Sequence, residues 1–342
     1  MINDNSFLEK IKLEITSKEV ETVKNALSMA VNYGNEGLSL VIKQLSSPSR
    51  RIQLHAYKLL CNREEVVVKK VLDEVEYFKQ QLINGQIYQW NKWRKRNIDL
   101  YIYFKKANLK EINLAEANLA KINFSQANFE KADLRAVNLN GANLYKANLK
   151  KVDLEFSEVK VANLNRAILE KADISHANFR ETIFVEANLQ EANVSGSNFQ
   201  KANFHKCNLK YIDFEDTNLS EANFTQIEVD KTYFEGIDLT RAKFCNCNLE
   251  NTSFSYSNLY LTDFTNANLK GANFQEADLT QTFFHFADLS NINISGVNAD
   301  GADFRNAKFI PRSWDGANLD CANGITNRDF LNEYHKEKIR KD

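Results

Sequence analysis

An apolar residue recurs at every fifth position from Phe104 to Leu319, and these forty-four central positions are almost all Leu or Phe. A small residue usually stands two positions before each central residue, and Asn or Asp stands one before it, as in Ala107, Asn108 and Leu109. On an α-helix a step of five turns successive residues by about 140°, so they form no apolar stripe. In a strand they would alternate between the two faces. The chain is therefore predicted to turn a corner at each pentapeptide.

The central residues fall into columns when they are sorted at a spacing of twenty positions. One column contains Phe184, Phe204, Phe224, Phe244, Phe264, Phe284 and Phe304. Four pentapeptides then make one coil, and like residues stack above like residues inside a four-sided tube of about 11 coils. At about 4.8 Å per coil the tube is roughly 50 Å long, and its backbone groups pair with the coils above and below.

The residues around each centre suit such a corner. Short Asn and Asp side chains stabilise tight turns by bonding nearby backbone groups. The residues two before the centres are small because they also point inward, where two large side chains per corner would overfill the tube. Arg312 breaks this rule and follows Pro311, which removes a backbone donor from the ladder. The last coil is therefore predicted to be distorted there.

This Ala-(Asn/Asp)-Leu-X-X pattern resembles the pentapeptide-repeat family, and the resemblance covers about two-thirds of the chain. It implies a mainly β fold, the right-handed quadrilateral β-helix, and a binding or scaffold protein that is not an enzyme. Members of the family include DNA mimics that protect DNA gyrase from quinolones, cyanobacterial regulators of development, and proteins of unassigned role.

The first hundred residues lack the pentapeptide pattern and show helical apolar spacing instead. Thr16 and Glu19 resemble a capping box, which predicts a helix running to about Tyr33 with Gly34 at its stop. Three further helices are predicted around Leu38 to Leu45, Ile52 to Leu60 and Glu64 to Leu82. The block from Leu45 through Pro48 and Arg51 to Leu60 is similar to a HEAT-type helical repeat, of a kind seen fused to repeat domains in cyanobacterial proteins.

The chain is thus predicted to have three parts: a helical HEAT-like domain with a junction (1–96), the β-helix (97–326) and a C-terminal capping helix (327–342). Open β-helix ends present unpaired backbone groups and invite association unless they are covered. The predicted covers are Trp90, Trp93, Ile98 and Tyr101 at one end, and Phe330, Leu331 and Tyr334 near Trp314 and Leu319 at the other. Family members also dimerise through the C-terminal end, so monomer and homodimer both stay open.

Several classes of protein are not expected. The chain has no N-terminal signal pattern and no apolar stretch near the roughly 20 residues of a membrane span, which favours a cytoplasmic protein. Cys207 and Cys247 share a column about 10 Å apart, too far for a disulfide. His205 and His285 share a face about 19 Å apart, too far for a common metal. With no catalytic or nucleotide motif either, we expect no enzyme activity, no cofactor and no metal.

One side of the predicted tube is strongly acidic. We call it the acidic face, and it follows the central column from Leu114 through Leu134 to Trp314. Its only outward base is Arg135, against eleven acids. These candidate partner-binding residues are Glu116, Asp133, Asp153, Glu155, Asp173, Asp213, Glu215, Asp216, Glu235, Glu276 and Asp315.

An acidic strip attracts basic partners over a Debye length of about 8 Å in physiological salt. The favoured function is therefore a protein-binding scaffold or regulator with a protein partner, a basic one in particular. Solvated carboxylates that serve no partner are the plain alternative. A DNA mimic that binds gyrase or topoisomerase is a third, although a duplex of this length carries roughly 30 charges. Direct nucleic-acid binding is not expected, because the basic run at residues 92–96 also suits a solvent-facing junction helix.

The sequence leaves the partner and its pathway open. It also leaves open whether the helical domain binds a partner itself or only caps the β-helix.

Overall fold

The structure, a computed structural model, describes residues 4–341. The chain divides into two compact units: a helical unit, which runs to Phe104 and includes Ala117–Asn123, and a solenoid unit formed by Lys105–Glu116 and the chain from Phe124 onward. The helices and strands are α1 Asp4–Ile15, α2 Val20–Ala30, α3 Gly34–Lys43, α4 Arg50–Leu60, α5 Val66–Ile83, α6 Ile87–Arg96, β1 Asp288–Asn293, β2 Lys308–Ser313 and α7 Arg328–Lys341, with a short 3-10 turn at Gln44–Ser46.

The helical unit is held together by one apolar stripe on each helix. In α4 the stripe is Ile52, Ala56 and Leu60, which recur at every fourth position and are all buried. The shared core consists of Ile11, Val23, Ala26, Leu27, Ala30, Leu38, Val41, Leu45, Ile52, Ala56, Leu60 and Val68. The predicted helical character of this region is confirmed, and so is the position of α4 after Pro48.

The predicted capping box is wrong. Helix α1 ends at Ile15, so Thr16 belongs to its last turn and its hydroxyl donates to the carbonyl of Leu13 at 2.7 Å. Ser17 takes the local role instead, since its Oγ accepts the N–H of Glu19 at 3.1 Å. Gly34 is the first residue of α3 rather than a stop. The sequence analysis did not predict α1, so it could not foresee that Thr16 would bond the end of that helix.

The interpretation of the basic run as part of a solvent-facing junction helix does not hold for Arg94. Its side chain is fully buried, and the guanidinium donates to the carbonyls of Asn97, Ile98 (3.0 Å) and Ala120 (2.7 Å). The last carbonyls of a helix have no partner within the helix, and a buried arginine beside them supplies donors. Burial lowers the pKa of Arg94 to about 10. Trp90 lies on the same helix, is buried and donates to the carbonyl of Asn118 at 2.9 Å.

Most corners of the solenoid unit repeat one pattern of hydrogen bonds. At residues 163–167 the N–H of Leu164 bonds the carbonyl of Ile183 (2.8 Å), and the N–H of Arg166 bonds that of Val185 (2.9 Å). The N–H of Ala167 closes the turn onto the carbonyl of Leu164 (3.0 Å), while Arg166 adopts a φ of 57°. The turn is therefore of type II, which requires positive φ at its third residue.

Parallel bridges join residues twenty positions apart on all four sides, for example Asn143 to Asn163 and Asp153 to Asp173. The predicted coil of four pentapeptides is confirmed. The Asn side chains act as expected, since the Asn163 side-chain carbonyl accepts the N–H of Asn165 at 3.1 Å and its amide donates to Asn143 at 3.1 Å.

The central residues fill the tube as stacked columns. In the predicted phenylalanine column, the rings of Phe224 and Phe244 are nearly parallel with centroids 4.7 Å apart. A second column, which the sequence analysis did not single out, contains Phe214, Phe234, Phe254 and Phe274 at centroid spacings of 5.2 to 5.4 Å. Rings of the two columns meet edge to face, an arrangement that adds to the energy of burial alone.

The distortion predicted at Pro311 is confirmed. Residues at the third position of the other corners adopt positive φ, which the proline ring forbids. Strand β2 replaces the corner and pairs in parallel with β1, with register shifts between Ser290 and Asn293. Arg312 is exposed and does not point inward.

Helix α7 packs onto the last corners of the solenoid unit. Phe330 is buried and meets Trp314 edge to face with centroids 5.3 Å apart. The hydroxyl of Tyr334 donates to the carbonyl of Ala317 and accepts the N–H of Leu319, both at 3.2 Å. These contacts satisfy backbone groups at the end of the ladder.

Candidate protein-binding surface

The eleven carboxylates of the acidic face stand at the corners of the column that the sequence predicted, but the structure separates them by exposure. Four are partly buried: Asp133, Asp153, Glu155 and Asp173. Seven are exposed: Glu116, Asp213, Glu215, Asp216, Glu235, Glu276 and Asp315. Three of the partly buried aspartates stack on successive coils through parallel bridges. The acidic face therefore contains two groups of carboxylates that differ in their exposure to solvent.

Arg135 neutralises much of the first group. Its guanidinium donates to both oxygens of Asp133, at 2.9 and 2.7 Å, and lies 3.5 Å from Asp153. The hydrogen bonds from Arg135 hold the pKa of Asp133 below its ordinary value. The single base of the face thus binds to two of its stacked carboxylates.

The aspartates that precede a central residue also have a structural use. Oδ1 of Asp173 accepts the backbone N–H of Ser175 at 3.0 Å and its hydroxyl at 2.6 Å, and the side chain of Asn193 donates to the same oxygen at 3.2 Å. Oδ1 of Asp213 accepts the N–H of Glu215 at 3.1 Å. Such bonds stabilise the turn whether or not a partner binds, as expected of Asp at this position.

Asp213, Glu215, Asp216 and Glu235 form what we call the acidic cluster, on neighbouring coils of this face. All four side chains are exposed. In this stretch of the described chain the ion pairs join Lys201 to Glu221 and Lys210 to Glu228, and neither pair includes a member of the acidic cluster. The acidic cluster is therefore a concentrated source of unneutralised negative charge.

Aromatic side chains lie among the carboxylates of the acidic face. Tyr233, which precedes Glu235 by two positions, is 48% exposed, and Tyr256 is 63% exposed. Phe156 is also exposed and stacks on His176 with centroids 5.2 Å apart. The ring of His176 lies over Gly196, where an added Cβ would come within 2.4 Å of the imidazole. The signal was visible in sequence as aromatic residues at outward positions of this column.

The backbone ladder is interrupted beside the acidic cluster, in what we call the open seam. Within residues 4–341 the regular ladder bonds between residues 229–234 and residues 248–253 are not made, although they resume at Gly236, whose N–H bonds the carbonyl of Ser255 at 2.9 Å. The groups without a ladder partner are the N–H of Val229, Lys231, Phe234, Asn248 and Ser253, and the carbonyls of Ile227, Thr232, Asn248, Glu250 and Ser253.

Local sequence explains the open seam. Ile227 occupies a position that small residues usually fill, and it is buried beside the phenylalanine columns. Overfilling a core forces backbone shifts. Glu228 and Tyr233 replace the usual Asn or Asp at two successive corners, so no short side chain stabilises either turn. A cavity of about 390 Å³ results, lined by Val229, Asp230, Lys231, Thr232, Tyr233, Glu250, Asn251, Thr252 and Ser253.

The adjacent side of the solenoid unit shows the opposite arrangement of charge. There, acids and bases of successive coils pair across the ladder, and we call this side the zippered face. Its pairs are Lys110 with Glu130 (3.3 Å), Lys131 with Glu111 (3.4 Å), Lys150 with Glu170 (2.8 Å) and Lys171 with Glu191 (3.2 Å).

No group of three His, Cys, Asp or Glu residues in the described part of the chain has an arrangement suited to a metal ion. Burial raises the pKa of the Cys247 thiol to about 11 and that of Cys245 to about 12, which disfavours the reactive thiolate. Among the described helices, none is long and apolar enough to cross a membrane.

Models of protein families match most of the repeat. The "Pentapeptide repeat region" model matches residues 157–234 and 230–304, and the "Pentapeptide repeats (8 copies)" model matches 107–144 and 117–155. Together these segments exceed half of the chain. No curated protein sequence matches it.

Several solved structures are similar to this chain. HetL, a pentapeptide repeat protein involved in heterocyst differentiation regulation from the cyanobacterium Nostoc sp. Strain PCC 7120, is 21% identical with a TM-score of 0.35, covering 65% of this chain and 86% of HetL. QnrB1, a plasmid-mediated fluoroquinolone resistance protein, is 14% identical with a TM-score of 0.28, covering 69% and 96%. Rfr23 from the cyanobacterium Cyanothece 51142 is 26% identical with a TM-score of 0.19, covering 42% and 95%.

Proposed function

Because the chain belongs to the pentapeptide-repeat family, we propose that it is a non-enzymatic scaffold that binds a protein partner through its acidic face. The observation that carries this proposal is the acidic cluster, in which Asp213, Glu215, Asp216 and Glu235 are exposed and take part in no ion pair of the described chain. The partner is basic at its contact surface.

Charge geometry supports the acidic cluster over the rest of the acidic face. Carboxylates that already have a cation gain less from a second one, and Arg135 lies against Asp133 and Asp153. The acidic cluster has no such competitor, so its field extends to a partner's Lys and Arg side chains. Tyr233 adds an exposed ring beside it, and tyrosine is a side chain enriched in protein interfaces.

The remaining parts fit a scaffold. We propose that the β-helix has about 11 right-handed coils over residues 97–326, that helix α7 caps its C-terminal end, and that residues 1–96 form a HEAT-like domain. The contacts of Phe330 and Tyr334 with the last corners support the cap. A capped end favours a monomer over a homodimer through that end, and we place the protein in the cytoplasm.

Neutralising the acidic cluster tests the proposal directly. The variant D213N/E215Q/D216N/E235Q removes four carboxylates, and the matched control E111Q/E130Q/E170Q/E191Q removes four that are already paired on the zippered face. Both are compared with wild type by crosslinking in native lysate and mass spectrometry. We expect the cluster variant alone to lose a basic partner, and high salt to weaken the wild-type complex.

If the cluster variant and the control retain every partner equally, the acidic face is not the contact. Circular dichroism and melting of all three proteins confirm that the fold is intact, as expected for exposed side chains.

DNA mimicry is less well supported than protein binding. Two of the three stacked aspartates that most resemble a row of phosphates, Asp133 and Asp153, are bound by Arg135. The acidic cluster is confined to neighbouring coils, whereas a duplex presents one charge per roughly 1.7 Å along its whole length.

A further inference from the structure

The open seam combines three features: backbone donors and acceptors without a ladder partner, a cavity, and neighbouring carboxylates. We infer that it is a docking site for an extended, arginine-containing peptide segment of the basic partner. The inference rests on the proposed function and specifies where and how that partner binds.

The backbone groups of the open seam fit a peptide better than a small ion. One wall presents the N–H groups of Val229, Lys231 and Phe234, and the other presents the carbonyls of Asn248 and Glu250. Each residue of an extended peptide has one N–H and one carbonyl, so a strand matches both kinds of group at once.

The side chains of the open seam select a basic segment. Asp230 lines the cavity, as does Glu250, which is paired with Lys270 at 3.3 Å. The acidic cluster lies at the corner that contains Tyr233 and on the coil before it. Lys231 is the only base among the lining residues, and its amine lies 5.8 Å from the ring centroid of Tyr211. A cation held over an aromatic face is partly stabilised there and competes less for the carboxylates.

The molecule already contains an arginine that satisfies carbonyls of this kind. In the helical unit the guanidinium of Arg94 reaches the carbonyl of Ala120, in one of the pentapeptides, as well as that of Ile98. The planar guanidinium has five donors in a fixed fork, which suits closely spaced carbonyls better than an ammonium does. For this reason we assign arginine and not lysine to the partner segment.

The cavity of about 390 Å³ lies within the range of roughly 300 to 1,000 Å³ that ligand pockets occupy. It accommodates a short stretch of chain with one arginine side chain, while the rest of the segment lies over the acidic cluster.

Restoring the pentapeptide pattern closes the open seam without removing the acidic cluster. The repaired variant is I227A/E228N/V229L, which leaves Tyr233 in place. Its matched control is E158N/V159L/I237A, which changes the same residue types where the ladder is intact. The probe is a fluorescein-labelled peptide of alternating arginine and threonine, measured by fluorescence anisotropy. A version with N-methylated backbone amides and one with glutamate in place of arginine accompany it.

We expect the arginine peptide to bind wild type and control equally, and to bind the repaired variant more than about tenfold more weakly. The N-methylated and glutamate peptides lose binding to wild type. In hydrogen–deuterium exchange, the amides of Val229, Lys231 and Phe234 exchange rapidly in wild type and slow when the arginine peptide is added. The repair slows them without peptide.

Equal affinity of the repaired variant and wild type overturns the inference. If the repaired variant still exchanges rapidly at these amides, equal binding of the N-methylated and unmodified peptides to wild type overturns it instead. The inference is also overturned if D213N/E215Q/D216N/E235Q loses binding while the repaired variant binds as tightly as wild type. That result leaves the acidic face as the contact. No binding of the arginine peptide to wild type overturns it too, and the crosslinking experiment then decides the proposed function separately.

Discussion

Two corners of the solenoid unit that share Glu before the centre and Val at the centre have opposite structures. Residues 157–162 (Ser-Glu-Val-Lys-Val-Ala) make every ladder bond, including Val159 N–H to Asn178 at 2.8 Å and Val161 N–H to Arg180 at 3.0 Å. Residues 227–232 (Ile-Glu-Val-Asp-Lys-Thr) make none of the corresponding bonds to the following coil. Both corners have Glu before the centre and Val at the centre, so neither substitution opens the ladder by itself.

The difference lies in what surrounds the shared Glu and Val. The closed corner has Ser157 two before its centre and is followed by Asn163, whereas the open one has Ile227 and is followed by Tyr233. Ile227 also lies next to phenylalanine centres, while the neighbouring centre of the closed corner is Leu154. A ladder bond therefore depends on how much volume the interior must hold as well as on the turn residues.

The largest expected effect comes from removing a buried ring from the core of the solenoid unit, where the ladder is closed. Phe244→Ala removes a fully buried ring that stacks on Phe224 and Phe264, and it should lower the free energy of unfolding by about 3 to 5 kcal/mol. Urea denaturation measures the change. The control is Phe286→Ala at an exposed corner, which should fall within about 0.5 kcal/mol of wild type. An unfolding curve for Phe244→Ala that matches wild type contradicts the inward assignment.

A smaller effect is expected from converting the closed corner into an open one. Ser157→Ile places a large side chain at a site that is 1% exposed, and overpacking should cost about 1 to 3 kcal/mol. The amide protons of Val159 and Val161 should then exchange faster with deuterium. The reverse substitution, Ile227→Ala, should slow exchange at Val229. Unchanged exchange at both corners would show that interior volume does not govern the seam.

The sequence was sufficient for the architecture because the five-residue period is incompatible with either regular element, and because Phe224 and Phe244 recur at a spacing of twenty. It was insufficient for the open seam. Closure there depends on the summed volume of side chains from several coils, and a pattern treats each inward position as equivalent to the others.

The limits were similar elsewhere. Thr16 matched a capping box, yet its hydroxyl bonds the carbonyl of Leu13 at the end of α1. No local sequence pattern shows which of the two helices a residue will serve. Arg94 lies in a basic run whose composition suggests exposure, but it is buried because its guanidinium bonds the carbonyls of Asn97 and Ile98 after the end of α6. The acidic face was predicted residue by residue, whereas which carboxylates are neutralised depends on the reach of Arg135.

A third prediction concerns an aspartate of the closed ladder. Hydrogen bonds from Arg305, and then from His285, hold the pKa of Asp303 well below its ordinary value. A carboxyl group with a lowered folded-state pKa stabilises the fold above its unfolded pKa of about 3.9, and the stabilisation is lost as pH falls through the folded pKa. Asp303→Asn should therefore melt at a lower temperature than wild type at pH 7, and the gap should shrink below about pH 4. A gap that stays constant over this range would exclude the pairing as its cause.

The smallest expected effect extends the comparison to the acidic face, where Arg135 binds Asp133 and Asp153 while the acidic cluster takes part in no ion pair of the described chain. A protein that binds a gyrase-type enzyme in place of DNA needs a continuous row of unpaired negative charges, yet Arg135 binds Asp133 and Asp153. We therefore expect micromolar protein neither to inhibit nor to protect a type II topoisomerase in a supercoiling assay with a quinolone. Arg135→Gln frees the two aspartates and is the informative comparison. Inhibition that appears only with Arg135→Gln would show that this one ion pair separates a scaffold from a DNA mimic, whereas inhibition by wild type would replace the protein-binding proposal with DNA mimicry.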